Sequence, residues 1–271
     1  MNLDNFYDVA FDLVKQAGTI IREKINRPKD VMVKSCEVDL VTETDKQVEK
    51  LFMDGISAKF PDHRFIGEET TSDGAKIQLT DAPTWIIDPI DGTMNFVHGL
   101  PHTCISVALV INKVTEIGIV YNPILEQLFT ARKGKGSFLN GTSIKVSGVK
   151  ELKKALLMVE MGTSRDPEKM KVVMENIQIL TSKVHGLRTL GSAALNMCMV
   201  ALGGADANFE FGIHVWDIAA GDLIVREAGG VCIDPAGGPL NLFSRRVLCV
   251  SSSELAQELS QLLIQYYPEE D

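Results

Sequence analysis

Residues 85–96 read Trp85-Ile86-Ile87-Asp88-Pro89-Ile90-Asp91-Gly92-Thr93-Met94-Asn95-Phe96. The apolar run 85–87 predicts a short buried strand, and Asp88-Pro89 predicts its abrupt end. Asp88 and Asp91 stand three apart just beyond it. Gly92 permits close backbone approach, and Thr93 is suited to open a short helix. A helix N-terminus offers free N–H groups and partial positive charge, which suit a phosphate group. Aspartates alone would repel that phosphate. They fit if hard cations lie between, because Mg²⁺ takes oxygen ligands and bridges to phosphate. The same two residues also read as turn and cap residues, a common use of Asp. Residues 85–96 alone leave both readings open.

Three further acidic segments extend the pattern. Gly67-Glu68-Glu69 follows the apolar pair Phe65-Ile66 and so places carboxylates at another strand end; a solvated acidic loop is the competing reading. His214-Val215-Trp216-Asp217-Ile218-Ala219-Ala220-Gly221 predicts a helix opened by Asp217, with so small and apolar an interior that it is buried on most sides. Asp217 reads as its N-cap, with one oxygen left free. Thr42-Glu43-Thr44-Asp45 stands at the start of a second helix, where Asp45 either complements the helix dipole or orients a hydroxyl or water.

Around these segments the periodicity alternates. Phe6, Val9, Ala10, Leu13, Val14, Ala17, Ile20 and Ile21 form one face of a first helix, which Pro28 ends. Residues 31–41 read as extended or loop. Residues 103–111 and 114–121 predict a hairpin turning at Asn112-Lys113. Residues 126–130 and 136–139 predict another, and Asn140-Gly141 a third turn. Beyond residue 154, strands at 155–160, 207–211 and 247–251 alternate with helices at 167–183, 193–202, 217–228 and 254–264. Hairpins mixed with helix–strand alternation predict a layered α/β protein, not a regular doubly wound fold. We read residues 1–271 as one unit with two subdomains, about 1–150 and 151–271.

The chain has 271 residues, a net charge of −9 and five cysteines, Cys36, Cys104, Cys198, Cys232 and Cys249. The acidic balance speaks against a nucleic-acid partner, and the cluster Arg132, Lys133 and Lys135 reads as a solvated turn. The cysteines form no C-x-x-C pair, which fits a reduced, cytoplasmic protein. Asp4, Asp8 and Asp12 at the N-terminus are unlike a signal peptide, and no apolar stretch is long enough to span a membrane. The five histidines lack H-x-x-x-H spacing, so oxygen ligands and a hard metal are expected over a zinc site. His214 reads as structural.

Taken together, Trp85–Phe96 and Trp216–Gly221 running on to Glu227-Ala228-Gly229-Gly230 resemble the inositol monophosphatase family of lithium-sensitive, metal-dependent phosphatases. Gly67-Glu68-Glu69 and Asp39-Leu40-Val41-Thr42 support the resemblance, which covers nearly the whole chain. It implies an α-β-α-β-α five-layer sandwich and a homodimer. It implies two or three Mg²⁺ ions: Glu68, Asp88 and the Ile90 carbonyl at the first, Asp88, Asp91 and Asp217 at the second, and Glu68 near a weakly held third. It implies that Thr93, paired with Asp45, activates water; that the Gly92 and Thr93 amides cradle phosphate; and that Asp91, Ala193 and Glu210 contact an inositol ring. Thr163 falls where relatives often carry Ser and reaches toward substrate. Met94 departs from a position often polar in relatives; its side chain is expected to point away from the site.

The implied reaction is hydrolysis of inositol monophosphate by in-line attack of water, without a phosphoenzyme. Other sugar and nucleotide phosphatases of the same superfamily would share the metal site and differ in the pocket facing Glu210, Ala193 and Thr163. A protein-binding role without catalysis is the reading from another class.

Overall fold

The computed structural model describes residues 2–34, 36–75 and 77–271. In chain order the elements are α1 (Leu3–Lys24), β1 (Val31–Val33), β2 (Leu40–Thr42), α2 (Glu43–Lys59), β3 (Arg64–Gly67), α3 (Glu68–Ser72), β4 (Thr84–Asp91), α4 (Thr93–His98), β5 (Cys104–Ile111), β6 (Val114–Asn122), β7 (Gln127–Arg132), β8 (Ser137–Leu139), β9 (Thr142–Ile144), β10 (Leu156–Val159), α5 (Pro167–Thr181), β11 (Gly186–Arg188), α6 (Ala193–Leu202), β12 (Ala207–Phe211), α7 (Val215–Glu227), β13 (Val231–Ile233), β14 (Arg246–Val250) and α8 (Ser253–Leu262).

Strands β3 to β9 form a seven-stranded sheet in sequence order. Only β3 and β4 run parallel; the rest is a meander of hairpins. Asn112 and Lys113 both take positive φ (50° and 62°), the primed turn that matches the twist of β5 and β6. A second, five-stranded sheet has the order β11-β10-β12-β14-β13 and mixes parallel with antiparallel pairs.

Alternation along the central strands sets the layers. Trp85, Ile87, Ile105, Val107, Leu109, Ile117 and Ile119 point to one face of the large sheet, where α1 and α2 cover them with Phe6, Val14, Ile21, Val48, Phe52 and Ile56. Ile86, Ala108, Val110 and Val120 point to the other face and pack against α6 and α7. Both faces are covered, so these strands read as near-continuous apolar runs. The far face of the small sheet is closed by α5 and α8 through Val172, Val173, Leu180, Leu255 and Leu259. The result is the expected α-β-α-β-α arrangement, with α6 and α7 as the middle layer.

Helix α7 is buried along Ile218, Ala219, Ala220, Gly221, Leu223, Ile224 and Val225 because it lies between two sheets. Its small residues allow a close approach: a methyl group on Gly118 of β6 would come within 2.8 Å of the Ala220 carbonyl oxygen. Within the stretch read as extended or loop, Val31–Val33 and Leu40–Thr42 are extended and pair as an antiparallel ribbon. Among the described residues, no helix is long and apolar enough to cross a membrane.

Candidate active site

Strand β4 does not stop at Pro89. It continues to Asp91, and its pairing with β5 slips by one residue between Asp88, opposite Ser106, and Asp91, opposite Cys104. This bulge corrects the sequence expectation and explains the proline. Parallel pairing with β3 ends at Ile87, so no ladder hydrogen bond is lost at Pro89. The extra residue also decides the chemistry. On a regular strand, side chains three apart point to opposite faces; the bulge returns Asp91 to the face of Asp88. The 3.6 Å contact from Cys104 Sγ to Asp91 Oδ2 agrees with that placement.

Asp217 meets them from α7. It is not the N-cap, as the sequence suggested; the helix begins two residues earlier, with His214 at the cap. Asp217 stands in the first turn and its Oδ2 accepts the His214 N–H at 2.7 Å. Asp88, Asp91 and Asp217 each offer one carboxylate oxygen, and these oxygens all lie within 4.8 Å of one another.

Each carboxylate is held by protein donors. Asp88 Oδ1 accepts the Ile90 N–H at 3.0 Å. Asp91 Oδ2 accepts the Ser192 hydroxyl at 2.5 Å and the Ala194 N–H at 2.8 Å, while Oδ1 takes the Ala193 N–H at 3.2 Å. Asp45 lies in the first turn of α2, where Oδ2 accepts the Thr42 N–H and hydroxyl at 2.9 and 2.5 Å. Its Oδ1 is 3.2 Å from the Thr93 hydroxyl. The helix-capping and hydroxyl-orienting roles of Asp45 therefore coexist, one oxygen each.

The charge balance is strained. Burial, reinforced by Glu68, Asp91 and Asp217, pushes the Asp88 carboxyl well above its ordinary range. Burial pushes Asp91 up to about 6, against the pull of its Ser192 and α6 donors. Burial and then the Asp91 charge push Asp217 up to about 7. Asp45 is pushed up to about 6, mainly by burial. Buried carboxylates crowded together need positive charge among them. An all-oxygen donor set of this kind fits a hard divalent cation.

Glu68 opens α3 directly beyond β3, as its place after Phe65-Ile66 suggested. Lys34 occupies it: the ammonium lies 2.8 Å from Glu68 Oε1 and 2.7 Å from Glu69 Oε1. The pair is not a solvated loop, for Glu69 is buried and Glu68 largely covered. Lys34 carried no sequence signal, since it lies in a segment without periodicity.

Glu68, Asp88, Ile90, Asp91 and Asp217 line one cleft of about 290 Å³, together with Gly92, Thr93, Thr163, Ala193 and Glu210. The residues that the resemblance assigned to metal, phosphate and ring all border it; Asp45 does not, and reaches it through Thr93. Met94, next to Thr93 on α4, borders it too. Gly92 has φ +81°, and a methyl group there would meet the Gly191 and His102 carbonyl oxygens at 2.9 Å, so no other residue fits. Ser192 and Glu160 were missed. Glu160 Oε1 accepts the Leu190 and Gly191 N–H groups at 2.7 and 2.8 Å and fixes the turn into α6.

The sequence matches the inositol monophosphatase family over residues 2–268. The chain belongs to that family. It is 49% identical to bovine inositol monophosphatase 1 over 94% of this chain and 92% of that one. Among solved structures, the Thermotoga maritima IMPase superposes with a TM-score of 0.85 at 33% identity, covering 95% of this chain and 96% of its own. The extragenic suppressor protein suhB of Bartonella henselae gives a TM-score of 0.87 at 29% identity, covering 96% and 99%. As an inositol monophosphatase family member the protein is a metal-dependent phosphatase, a hydrolase of phosphoric monoesters, and the acid cluster is consistent with metal binding.

Proposed function

We propose that this protein hydrolyses inositol monophosphates with water activated at a magnesium site in the cleft. The observation that carries the reading is the convergence of Asp88, Asp91 and Asp217 within 4.8 Å, in a cleft that Glu210 also lines. Asp88, Asp91 and Asp217 would hold one Mg²⁺. Glu68, Asp88 and the Ile90 carbonyl would hold another, and Glu68 a weak third. Bound cations lower the pKa of coordinated water and stabilise charge on the phosphoryl and leaving oxygens.

The chain's own groups supply the positioning. The Thr93 hydroxyl lies between Asp45 Oδ1 and the Ile90 carbonyl, at 3.2 and 2.9 Å, so it can hold a water and pass its proton toward Asp45. The Gly92 and Thr93 amides are assigned to the phosphate. Glu210, Asp91 and Ala193 are assigned to the ring, with Thr163 at its edge. A carboxylate such as Glu210 accepts hydrogen bonds from ring hydroxyls, which favours a polyol over other phosphate esters. The homodimer, the cytoplasmic location, the subdomain division near residue 150 and lithium sensitivity rest on the resemblance and belong to the same proposal. Lithium inhibition that competes with substrate and ignores Mg²⁺ would contradict it.

The test is a comparison of kcat/KM for inositol 1-phosphate, histidinol phosphate and fructose 1,6-bisphosphate, with an attempt to trap a phosphoenzyme. A clear preference for the inositol ester and no covalent species are expected. Preference for another ester would move the assignment within the superfamily, and a trapped phosphoenzyme would overturn direct attack by water.

A further inference from the structure

Lys169 sits where a lysine is least expected. It lies in the first turn of α5, at the positive end of the helix dipole, where a cation is disfavoured. It is 1% exposed, and its ammonium has no hydrogen-bond partner. Burial holds its pKa below the ordinary range, Arg245 and Arg165 press the same way, and Glu210 and Asp166 oppose them.

Two glycines make room for the ammonium. A methyl group on Gly162 would lie 2.6 Å from Lys169 Nζ, and one on Gly212 would lie 3.0 Å from it. Both glycines take positive φ and both line the cleft. The same methyl position on Gly162 is 3.8 Å from Glu210 Oε1. Glu210 Oε2 is buried and also lacks a hydrogen-bond partner. A buried lysine and a buried glutamate thus flank Gly162 behind the cleft wall, with no hydrogen bond between them. Burial, reinforced by Glu160, Asp217 and Asp91, pushes the Glu210 carboxyl well above its ordinary range, and Lys169 is the cation that opposes this. Burying an isolated charge is costly enough that a carboxyl in such surroundings without a counterion takes up a proton.

We propose that Lys169 is a specificity-determining positioning residue, whose buried amine between Gly162 and Gly212 favours the carboxylate form of Glu210 as the acceptor for hydroxyls of a polyol leaving group. This rests on the assignment of the cleft to polyol phosphates. Lys169 does not touch the reacting atoms. It sets the preference for a hydroxylated leaving group over one that carries no hydroxyls.

The experiment measures kcat/KM for inositol 1-phosphate and for 4-nitrophenyl phosphate in wild type, Lys169→Met, Glu210→Gln and the double variant, with thermal melts of each. Lys169→Met lowers the ratio of the two by about tenfold or more, the size expected for losing a hydrogen bond to a charged group. In the Glu210→Gln background the same change moves the ratio by less than about twofold, because the two residues act as one unit. In Lys169→Met the ratio recovers only at higher pH than in wild type, because Glu210 must ionise without its partner. Lys169→Gln serves as a second variant if the methionine form is unstable. An unchanged ratio overturns the proposal, as does an equal fall on both substrates in a protein that melts normally. A loss larger on inositol bisphosphate than on the monophosphate overturns it too, since Lys169 would then read a second anion. If wild type hydrolyses 4-nitrophenyl phosphate but no polyol ester, the polyol assignment itself fails and takes this inference with it.

Discussion

Ser192 donates its hydroxyl to Asp91 Oδ2 at 2.5 Å and, from the same oxygen, accepts the Leu195 N–H at 3.3 Å. One side chain thereby caps α6 and anchors a candidate metal ligand 101 residues away, on the seven-stranded sheet. The middle helical layer and the catalytic face of β4 are joined at this point.

Ser192→Ala removes both bonds. A loss of about 1–2 kcal/mol is expected from a cap and a buried hydrogen bond, read as a lower urea midpoint at unchanged slope. The Ser192 hydroxyl is the foremost of the groups that hold the Asp91 carboxyl down against burial. The variant should therefore need more Mg²⁺ for half-maximal activity at mildly acidic pH. An unchanged Mg²⁺ requirement would separate the cap from the ligand.

Thr93→Ala should lower kcat by about 10²-fold or more, the usual scale for losing a proton-transfer partner, while Thr93→Ser retains most of it. The hydroxyl works only against an ionised Asp45, whose carboxyl is pushed up to about 6 by burial. Activity should therefore fall as pH drops through that region. Asp45→Asn should abolish that limb along with most of the rate, at a cost in stability because Thr42 loses its partner.

Without metal, the raised carboxyls make the fold weaker as pH rises. Asp88, Asp91 and Asp217 keep their protons in the folded state to higher pH than in the unfolded chain. Stability therefore declines between the unfolded value, near pH 4, and the folded ones, about 6 for Asp91 and about 7 for Asp217. Mg²⁺ binds the ionised set and stabilises the folded state by mass action. Saturating Mg²⁺ should raise Tm much more above the folded values than below the unfolded one. An equal increment at both ends would place the cation elsewhere.

Gly118→Ala tests how tightly α7 is seated. Its methyl group would meet the Ala220 carbonyl oxygen at 2.8 Å, and backbone cannot swing aside as a side chain can. Overpacking of this kind costs about 1–3 kcal/mol. The helix that gives way carries Asp217, so weaker Mg²⁺ activation should accompany the lower Tm.

Much of the fold was legible because local chemistry and tertiary context agree. Asn112-Lys113 takes the primed turn it spells, and the small apolar interior 218–225 is small because α7 lies between two sheets. Elsewhere a tertiary effect overrode the local pattern. Pro89 reads as a strand end, yet β4 runs on because neither neighbour needs its N–H. The spacing of Asp88 and Asp91 opposes a shared face, and only the bulge supplies one. Asp217 reads as a cap residue, yet it stands in the first turn of α7. Lys169 looks like an exposed helix residue, and nothing along the chain reveals that Gly162 and Gly212 make a chamber for its ammonium.

The most direct test is phosphate release from inositol 1-phosphate, followed against Mg²⁺ concentration in wild type, Asp88→Asn and Asp217→Asn. The expected result is release that requires Mg²⁺ and falls by at least about 10²-fold in both variants, as for loss of a group that stabilises transition-state charge. Release without Mg²⁺, or full activity in either variant, would contradict a catalytic metal site built on these aspartates.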